Sequence, residues 1–128
     1  MAGDRAIQQL LERSWPADLP DEEETILRAM GRKVLLADVT GLGRGQFPAA
    51  FPHRAGRAGV VAPAFTRIRI QAVIARQGSR AGRAVVHLVW AGADRGGTYT
   101  DGRVTDIVFH HARGDATWTP LPLTTTTS

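Results

Sequence analysis

The first fifteen residues alternate between apolar and polar positions with the spacing of a helix. Four apolar residues share one side, Ile7, Leu10, Leu11 and Trp15, while charged and amide residues take the other. Spacing of this kind is typical of an amphipathic surface helix. The pattern predicts a first helix over residues 4–15.

A second helix is predicted after the segment bounded by Pro16 and Pro20. Asp21 stands at the position of an N-cap, and Glu24, three residues later, completes a capping box. The acidic residues between them favour the positive end of the helix dipole. Gly31 is a favourable residue to end this helix, because the left-handed conformation costs glycine little.

Residues 34–40 are mostly apolar and predict a short, largely buried strand that ends at Gly41. Residues 41–64 follow as a long loop rich in Gly, Pro, Ala and Arg, a length that indicates a functional or mobile segment. Phe47 and Phe51 are four residues apart, which favours a short helix here that covers the core.

The second half of the chain predicts successive β-strands. Residues 65–76 alternate, with Ile68, Ile70, Ala72 and Ile74 on one face. Residues 84–91 and 99–111 are two further strands, and a last strand carries Trp118, Leu121 and Leu123. Helices followed by a run of antiparallel strands predict an α+β fold in which N-terminal helices pack on a curved antiparallel sheet.

Length and composition agree with one folded domain. The 128 residues suit a single domain over 1–123, which includes the loop 41–64, followed by a disordered tail over 124–128. Cysteine is absent, which excludes disulfides and thiol chemistry. We find no hydrophobic run long enough for a membrane span and no signal peptide, and so we expect a soluble cytoplasmic protein without a cofactor.

The charge is distributed unevenly. Residues 1–40 hold eight acidic and five basic residues, whereas residues 41–128 hold four acidic and eleven basic ones. No Asp or Glu lies between Asp38 and Asp94, a window that contains eight arginines. A GC-rich genome explains the preference for Arg over Lys, but it does not explain the missing acids. The window favours either an anionic partner or a merely solvated surface.

Three segments of the second half resemble the closing strands of nuclear-transport-factor-2-like (cone-fold) domains. They are VVHLVW at 85–90, YTDGRVTDIVF at 99–109 and WTP at 118–120. The resemblance implies a concave pocket between sheet and helices and a homodimer formed through the outer sheet face. It also implies one of two functions, a small-molecule isomerase, cyclase or dehydratase, or a non-catalytic module. The soluble domains of conjugative type IV secretion assembly proteins are similar, although they usually follow a membrane helix.

Catalytic candidates are few. An enzyme of this fold needs an acid or base inside the cone, and only His87, Asp38 and Tyr99 are placed to point inward. His87 lies among valines and leucines, so it either lines the pocket, faces a partner or is an ordinary sheet histidine. His110 and His111 point to opposite faces of a strand and cannot bind one metal ion together.

The candidate partner-binding residues are arginines of the first predicted hairpin: Arg67, Arg69, Arg76, Arg80 and Arg83. At fixed spacing they would form a stripe that tracks phosphates or acidic side chains. Most aromatic residues are needed by the core, which disfavours stacking on single-stranded bases. We therefore expect a non-enzymatic binding or assembly module that engages DNA or an acidic protein, in conjugative or mobile-element machinery. A small-molecule enzyme or binder that uses the cone pocket is the alternative.

Overall fold

Two helices precede a single antiparallel sheet. The computed structural model describes residues 2–51, 64–112 and 117–123. Helix α1 spans Ala2–Ser14, helix α2 spans Asp21–Thr40, and a 3₁₀ turn follows at Arg44–Gln46. The sheet has the order β1-β2-β3-β4 and consists of Thr66–Gln77, Arg83–Ala93, Tyr99–His110 and Thr119–Pro120. This arrangement confirms the predicted α+β class, with N-terminal helices packed on an antiparallel sheet.

Helix α2 is twice as long as predicted, and the strand predicted over 34–40 is wrong. The helix continues through Gly31 and buries Leu27, Val34 and Leu35. These positions recur at helical spacing, and burial of that stripe outweighs the strand preference of its apolar residues. The element ends at Gly41, as predicted, although it is a helix and not a strand. Gly41 takes the left-handed conformation at φ 79°, and its N–H donates to the carbonyl of Ala37.

Gly31 lies inside α2 and does not end it. A Cβ atom there would lie 2.5 Å from Cγ1 of Val86 on β2. Glycine therefore lets the helix approach the sheet at the point where Val86 is fully buried. The helix is held against the sheet by this close contact.

The predicted capping box is also wrong. Pro20 precedes the first turn of α2, and no side chain caps it. The Glu24 carboxylate instead points to the sheet, where Oε2 lies 2.8 Å from Nη1 of Arg76. A buried guanidinium requires an anionic partner, and this requirement outweighs the local capping interaction.

The sheet has a core face, which α2 covers, and an opposite outer face. The core face of β2 carries Ala84, Val86, Leu88 and Trp90. Val85, His87 and Val89 lie between them and belong to the outer face. This separation on β2 agrees with the predicted alternation.

Strand β1 does not keep one alternation along its length. Register shifts occur between Thr66 and Arg69 and between Ile70 and Ala72. As a result Ile68 and Ile70 pack against the core, whereas Ile74 shares the outer face with its partner His87. The predicted single apolar face of β1 is thus divided by a bulge.

The remaining connections are shorter than predicted or lie outside the described residues. Phe47 and Phe51 form one turn, in which the Phe51 N–H donates to the Phe47 carbonyl and Phe51 is buried in the core. The last strand is only two residues long, although Trp118 is buried beside it. Half of the loop predicted over 41–64, residues 52–63, and the whole predicted tail over 124–128 lie outside the described residues. No helix of the described chain is both long and apolar enough to span a bilayer.

Candidate functional site

The outer face of the sheet carries four valines, of which the two on β3 are exposed and the two on β2 are partly buried. Val85 pairs with Val108, and Val89 pairs with Val104, so these four side chains share one face. We call them the valine face. Val104 is 64% exposed and Val108 is 36% exposed. The valine face is therefore an apolar surface that is exposed on β3, whereas on the β1 side of the same face Ala72 and Ile74 are buried and α1 packs on the strand.

His87 and Asp106 form a pair in the middle of the valine face. Nδ1 of His87 lies 2.8 Å from Oδ1 of Asp106, its cross-strand partner. The indole of Trp15 stacks on the imidazole, with centroids 4.4 Å apart and planes 14° apart. Trp15 reaches His87 from the end of α1 and remains half exposed. His87 thus lies on the outer face, and not in a pocket beneath α2.

The three catalytic candidates do not come together. Tyr99 pairs with Ala93, six residues from His87 along β2, which corresponds to about 20 Å. Tyr99 is 44% exposed, with the guanidinium of Arg67 5.3 Å from its ring centroid. Asp38 lies on α2, which packs against the opposite face of the sheet from His87. The structure therefore assembles no acid–base group from His87, Asp38 and Tyr99.

Asp38 lies near the C-terminal end of α2, beside Arg44. Burial raises the pKa of its carboxyl group, and the charge of Arg44 lowers it by a smaller amount. The Arg44 side chain donates to the carbonyl oxygens of Ala37 (2.9 Å) and Asp38 (2.7 Å) and lies over the ring of Phe51. Arg44 thus satisfies the end of the helix.

Two of the five candidate arginines are engaged within the molecule. Arg76 is 3% exposed, pairs with Glu24 and donates to the carbonyl of Trp15. Its guanidinium is therefore unavailable to a partner. Arg69 Nε lies 3.3 Å from Oδ2 of Asp4 on α1. The continuous five-arginine stripe predicted from the sequence is thus interrupted at both positions.

Arg67 is separated from the other two arginines. It has a positive φ of 53° at the first register shift of β1, and its guanidinium packs on Tyr99. Arg80 and Arg83 lie beyond the other end of β1, and the ten residues from Arg67 to Gln77 correspond to about 33 Å of extended strand.

Arg80 and Arg83 lie at an end of the sheet that also carries two histidines. Arg83 pairs with His110, and the His111 N–H donates to the carbonyl of Gly82. We call this group, Arg80, Arg83, His110 and His111, the cationic end. Among residues 2–51, 64–112 and 117–123, no carboxylate oxygen lies within 4.0 Å of the Arg80 or Arg83 guanidinium. The charges of Arg80 and Arg83 are therefore not neutralised within the described residues.

Side chains of Gln8 and Asp18 form hydrogen bonds with the backbone of β1 along its unpaired edge. The Val73 N–H donates to Oε1 of Gln8 at 2.8 Å, and Nε2 of Gln8 donates to the Val73 carbonyl at 2.9 Å. The Gln77 N–H donates to Asp18 at 2.9 Å. These bonds occupy backbone groups that would otherwise template another strand. The edge of β1 is therefore protected at Val73 and Gln77.

Sequence reasoning missed the contacts of Trp15 and the position of Arg103. No local pattern relates Trp15 to His87, which is 72 positions away. The position of Arg103 could have been predicted from the alternation of β3. Arg103 belongs to the same row as Ile107 and Phe109, which faces the core. A lone arginine in such a row marks a buried charge that needs a partner.

The described residues contain no group of three His, Asp or Glu side chains placed to hold a metal ion. Comparisons of the chain with protein-family models, with curated proteins and with solved structures found no match. The resemblance to nuclear-transport-factor-2-like domains thus stays a prediction, and the geometry described above supports the functional proposals.

Proposed function

We propose that this protein is a non-enzymatic binding module that forms a homodimer through the valine face and engages an acidic protein segment through the cationic end. The observation that carries the proposal is the valine face, with Val104 64% exposed and Val108 36% exposed on β3. The cationic end supplies the second contact surface.

A second copy suits the valine face because that face is apolar. Asp106 is paired with His87, and Arg76 with Glu24. The chain carries a formal charge of +4, so two copies repel each other wherever cationic surfaces meet. Contact through the valine face removes apolar area from water, and it brings Arg83 into the contact only at one end of that face.

An acidic protein segment suits the cationic end better than DNA does. Two arginines per copy neutralise few phosphates, and affinity for duplex DNA grows with the number of phosphates that are neutralised. The aromatic side chain at this end is unavailable for stacking, because Trp118 is 6% exposed and packs edge-on against His111. Arginine forks bind carboxylates in a bidentate manner, which suits short acidic stretches.

The enzyme alternative has weaker support. An isomerase, cyclase or dehydratase requires an acid or base that meets the substrate inside a pocket. Of the three candidates, His87 lies on the outer face and Tyr99 lies about 20 Å along the strand from it. We therefore favour the binding module.

The acidic-partner proposal is tested by titrating the full chain with a poly-glutamate peptide and, separately, with duplex DNA at several salt concentrations. We expect saturable peptide binding that weakens with salt, and loss of most of it in the double variant Arg80→Ala/Arg83→Ala. Arg5→Ala/Arg13→Ala is the matched control, since it removes the same charge from exposed positions of α1.

Three results would contradict the proposal. Absence of salt-sensitive peptide binding would remove the acidic partner, and equal losses in both double variants would show that net charge alone is responsible. Tighter binding to DNA than to the peptide, lost in Arg80→Ala/Arg83→Ala, would make nucleic acid the partner of the cationic end.

A further inference from the structure

Arg103 lies on the core face of the sheet, next to two aromatic side chains. It pairs with Trp90 across β2 and β3. Its guanidinium carbon is 4.5 Å from the ring centroid of Phe65 and 5.5 Å from that of Trp90. Phe65 and Trp90 pack against each other edge to face, with centroids 5.1 Å apart. The three side chains form one cluster at the start of β3.

Arg103 has one buried hydrogen-bond donor without a partner and a charge that no carboxylate of the described residues neutralises. That donor is Nε of the guanidinium. A guanidinium has five N–H donors in one plane, and two aromatic faces satisfy none of them as hydrogen-bond acceptors. Buried polar groups without a partner are rare in folded proteins and indicate a missing water, ion or ligand.

We propose that Arg103 binds the carboxylate group of a small organic acid at this cluster. A planar carboxylate matches the edge of the guanidinium and accepts two parallel hydrogen bonds. The half-buried ring of Phe65 provides an apolar wall for the body of the acid, and Trp90, which is 4% exposed, packs against that ring. The site is separate from the valine face and from the cationic end, so it adds a small-molecule ligand to the proposed binding module.

A carboxylate fits this site better than a phosphate does. Arg103 is the one cation among the described residues of the cluster, which balances a single negative charge and not two. Thr105, two residues along the same face, accepts a hydrogen bond from Trp90 Nε1 at 3.0 Å. Its hydroxyl proton is then available as a further donor to a carboxylate oxygen.

The indole N–H signals of the three tryptophans test this proposal in the full chain. Benzoate, acetate and phosphate are titrated in turn at constant ionic strength, while the indole signals of Trp15, Trp90 and Trp118 are followed by ¹⁵N-resolved NMR. We expect the Trp90 signal to shift with saturation in benzoate and more weakly in acetate, while Trp15 and Trp118 stay unchanged. Small ligands of this size bind in the millimolar range.

Variants of Arg103 distinguish the contribution of the planar guanidinium, with its paired N–H donors, from that of the positive charge. Arg103→Gln is expected to weaken benzoate binding by about tenfold or more, and Arg103→Lys, which keeps the charge but loses the fork, by a similar factor. Arg80→Gln is the control that removes an arginine elsewhere. The indole signals themselves report whether each variant is folded.

The proposal is overturned if the Trp90 signal of the unaltered chain shows no saturable shift. This test needs no variant, so it holds even where a variant fails to fold. It is also overturned if Arg80→Gln weakens benzoate binding as much as Arg103→Gln does. Phosphate binding that is tighter than benzoate binding would assign the site to a different anion and contradict the carboxylate proposal.

Discussion

Oε2 of Glu24 lies 2.8 Å from Nη1 of Arg76 and 2.7 Å from Nη2 of Arg28, so that one carboxylate joins α2 to β1. Arg76 also donates to the carbonyls of Trp15 and Ala75. The side chains of Glu24 and Arg76 are 10% and 4% exposed. Removal of one partner would leave a buried charge without compensation.

We predict that Glu24→Gln lowers the free energy of unfolding by about 3 kcal/mol at neutral pH. Burial raises the pKa of Glu24, but hydrogen bonds from Arg28 and Arg76 outweigh it, and the folded pKa lies below 4.5. The stabilisation is therefore present above pH 4.5 and disappears as the pH falls through the folded pKa. Urea unfolding across this range should show the two proteins converging in acid. Glu22→Gln, at an exposed position of the same turn, is the control.

We predict that Asp38→Asn, in contrast to Glu24→Gln, raises the free energy of unfolding at neutral pH. Burial raises the pKa of the Asp38 carboxyl above 3.8, so ionisation in the folded state costs stability as the pH rises through that value. The variant is expected to be more stable than the parent at neutral pH, with the difference vanishing in acid. Chemical unfolding at both pH values measures this. A parent that is more stable than Asp38→Asn at neutral pH would contradict the assignment.

The approach of α2 to the sheet predicts that Gly31 tolerates no methyl group while Val86 is present. Gly31→Ala places Cβ 2.5 Å from Val86 Cγ1, and such overpacking costs about 1–3 kcal/mol, partly offset by helix propensity of about 1 kcal/mol. In a Val86→Ala background the same change should become neutral or stabilising. A double-mutant cycle measured by thermal unfolding shows this coupling. Gly3→Ala, where nothing lies within 4 Å, is the matched control.

The protected edge of β1 predicts a role for Gln8 that its neighbour Gln9 lacks. Gln8→Leu leaves the N–H and carbonyl of Val73 without partners and should cost about 1–2 kcal/mol. Gln9→Leu changes an exposed position of the same helix and should have little effect. Urea unfolding of the two variants measures the difference. Equal stabilities would show that the Gln8 amide does not protect the edge.

The spacing of apolar residues in the sequence was sufficient to predict the strands of the sheet, but not the full length of α2. On β2 and β3 a strict alternation indicates both the strand and its buried row, because each strand has one covered face. In α2 the run of apolar residues from Val34 to Val39 is also typical of a strand, and Gly31 is typical of a helix C-terminus. Only the facing Val86 reveals that this glycine serves packing and not termination.

The candidate site was harder to predict from the sequence, because it depends on contacts between residues that are far apart in the chain. Arg76 looks like an exposed cation in the sequence, and the partner that neutralises it lies 52 positions earlier. The positions of Arg80 and Arg83 after a β1 hairpin strand were predictable, since local turn residues fix them. Which arginines remain unpaired depends on the packing of α1 and α2 against β1.

The oligomeric state of the chain tests the central claim most directly, since the account requires that two copies meet at the valine face. Sedimentation equilibrium over a range of concentrations compares the parent with Val104→Asp and with Leu42→Asp, a control at a position that is 78% exposed and lies outside the sheet. We predict a dimer for the parent and for Leu42→Asp and a folded monomer for Val104→Asp, because a charge at an apolar interface is left unpaired. A monomeric parent, or a dimer that survives Val104→Asp, would contradict the account.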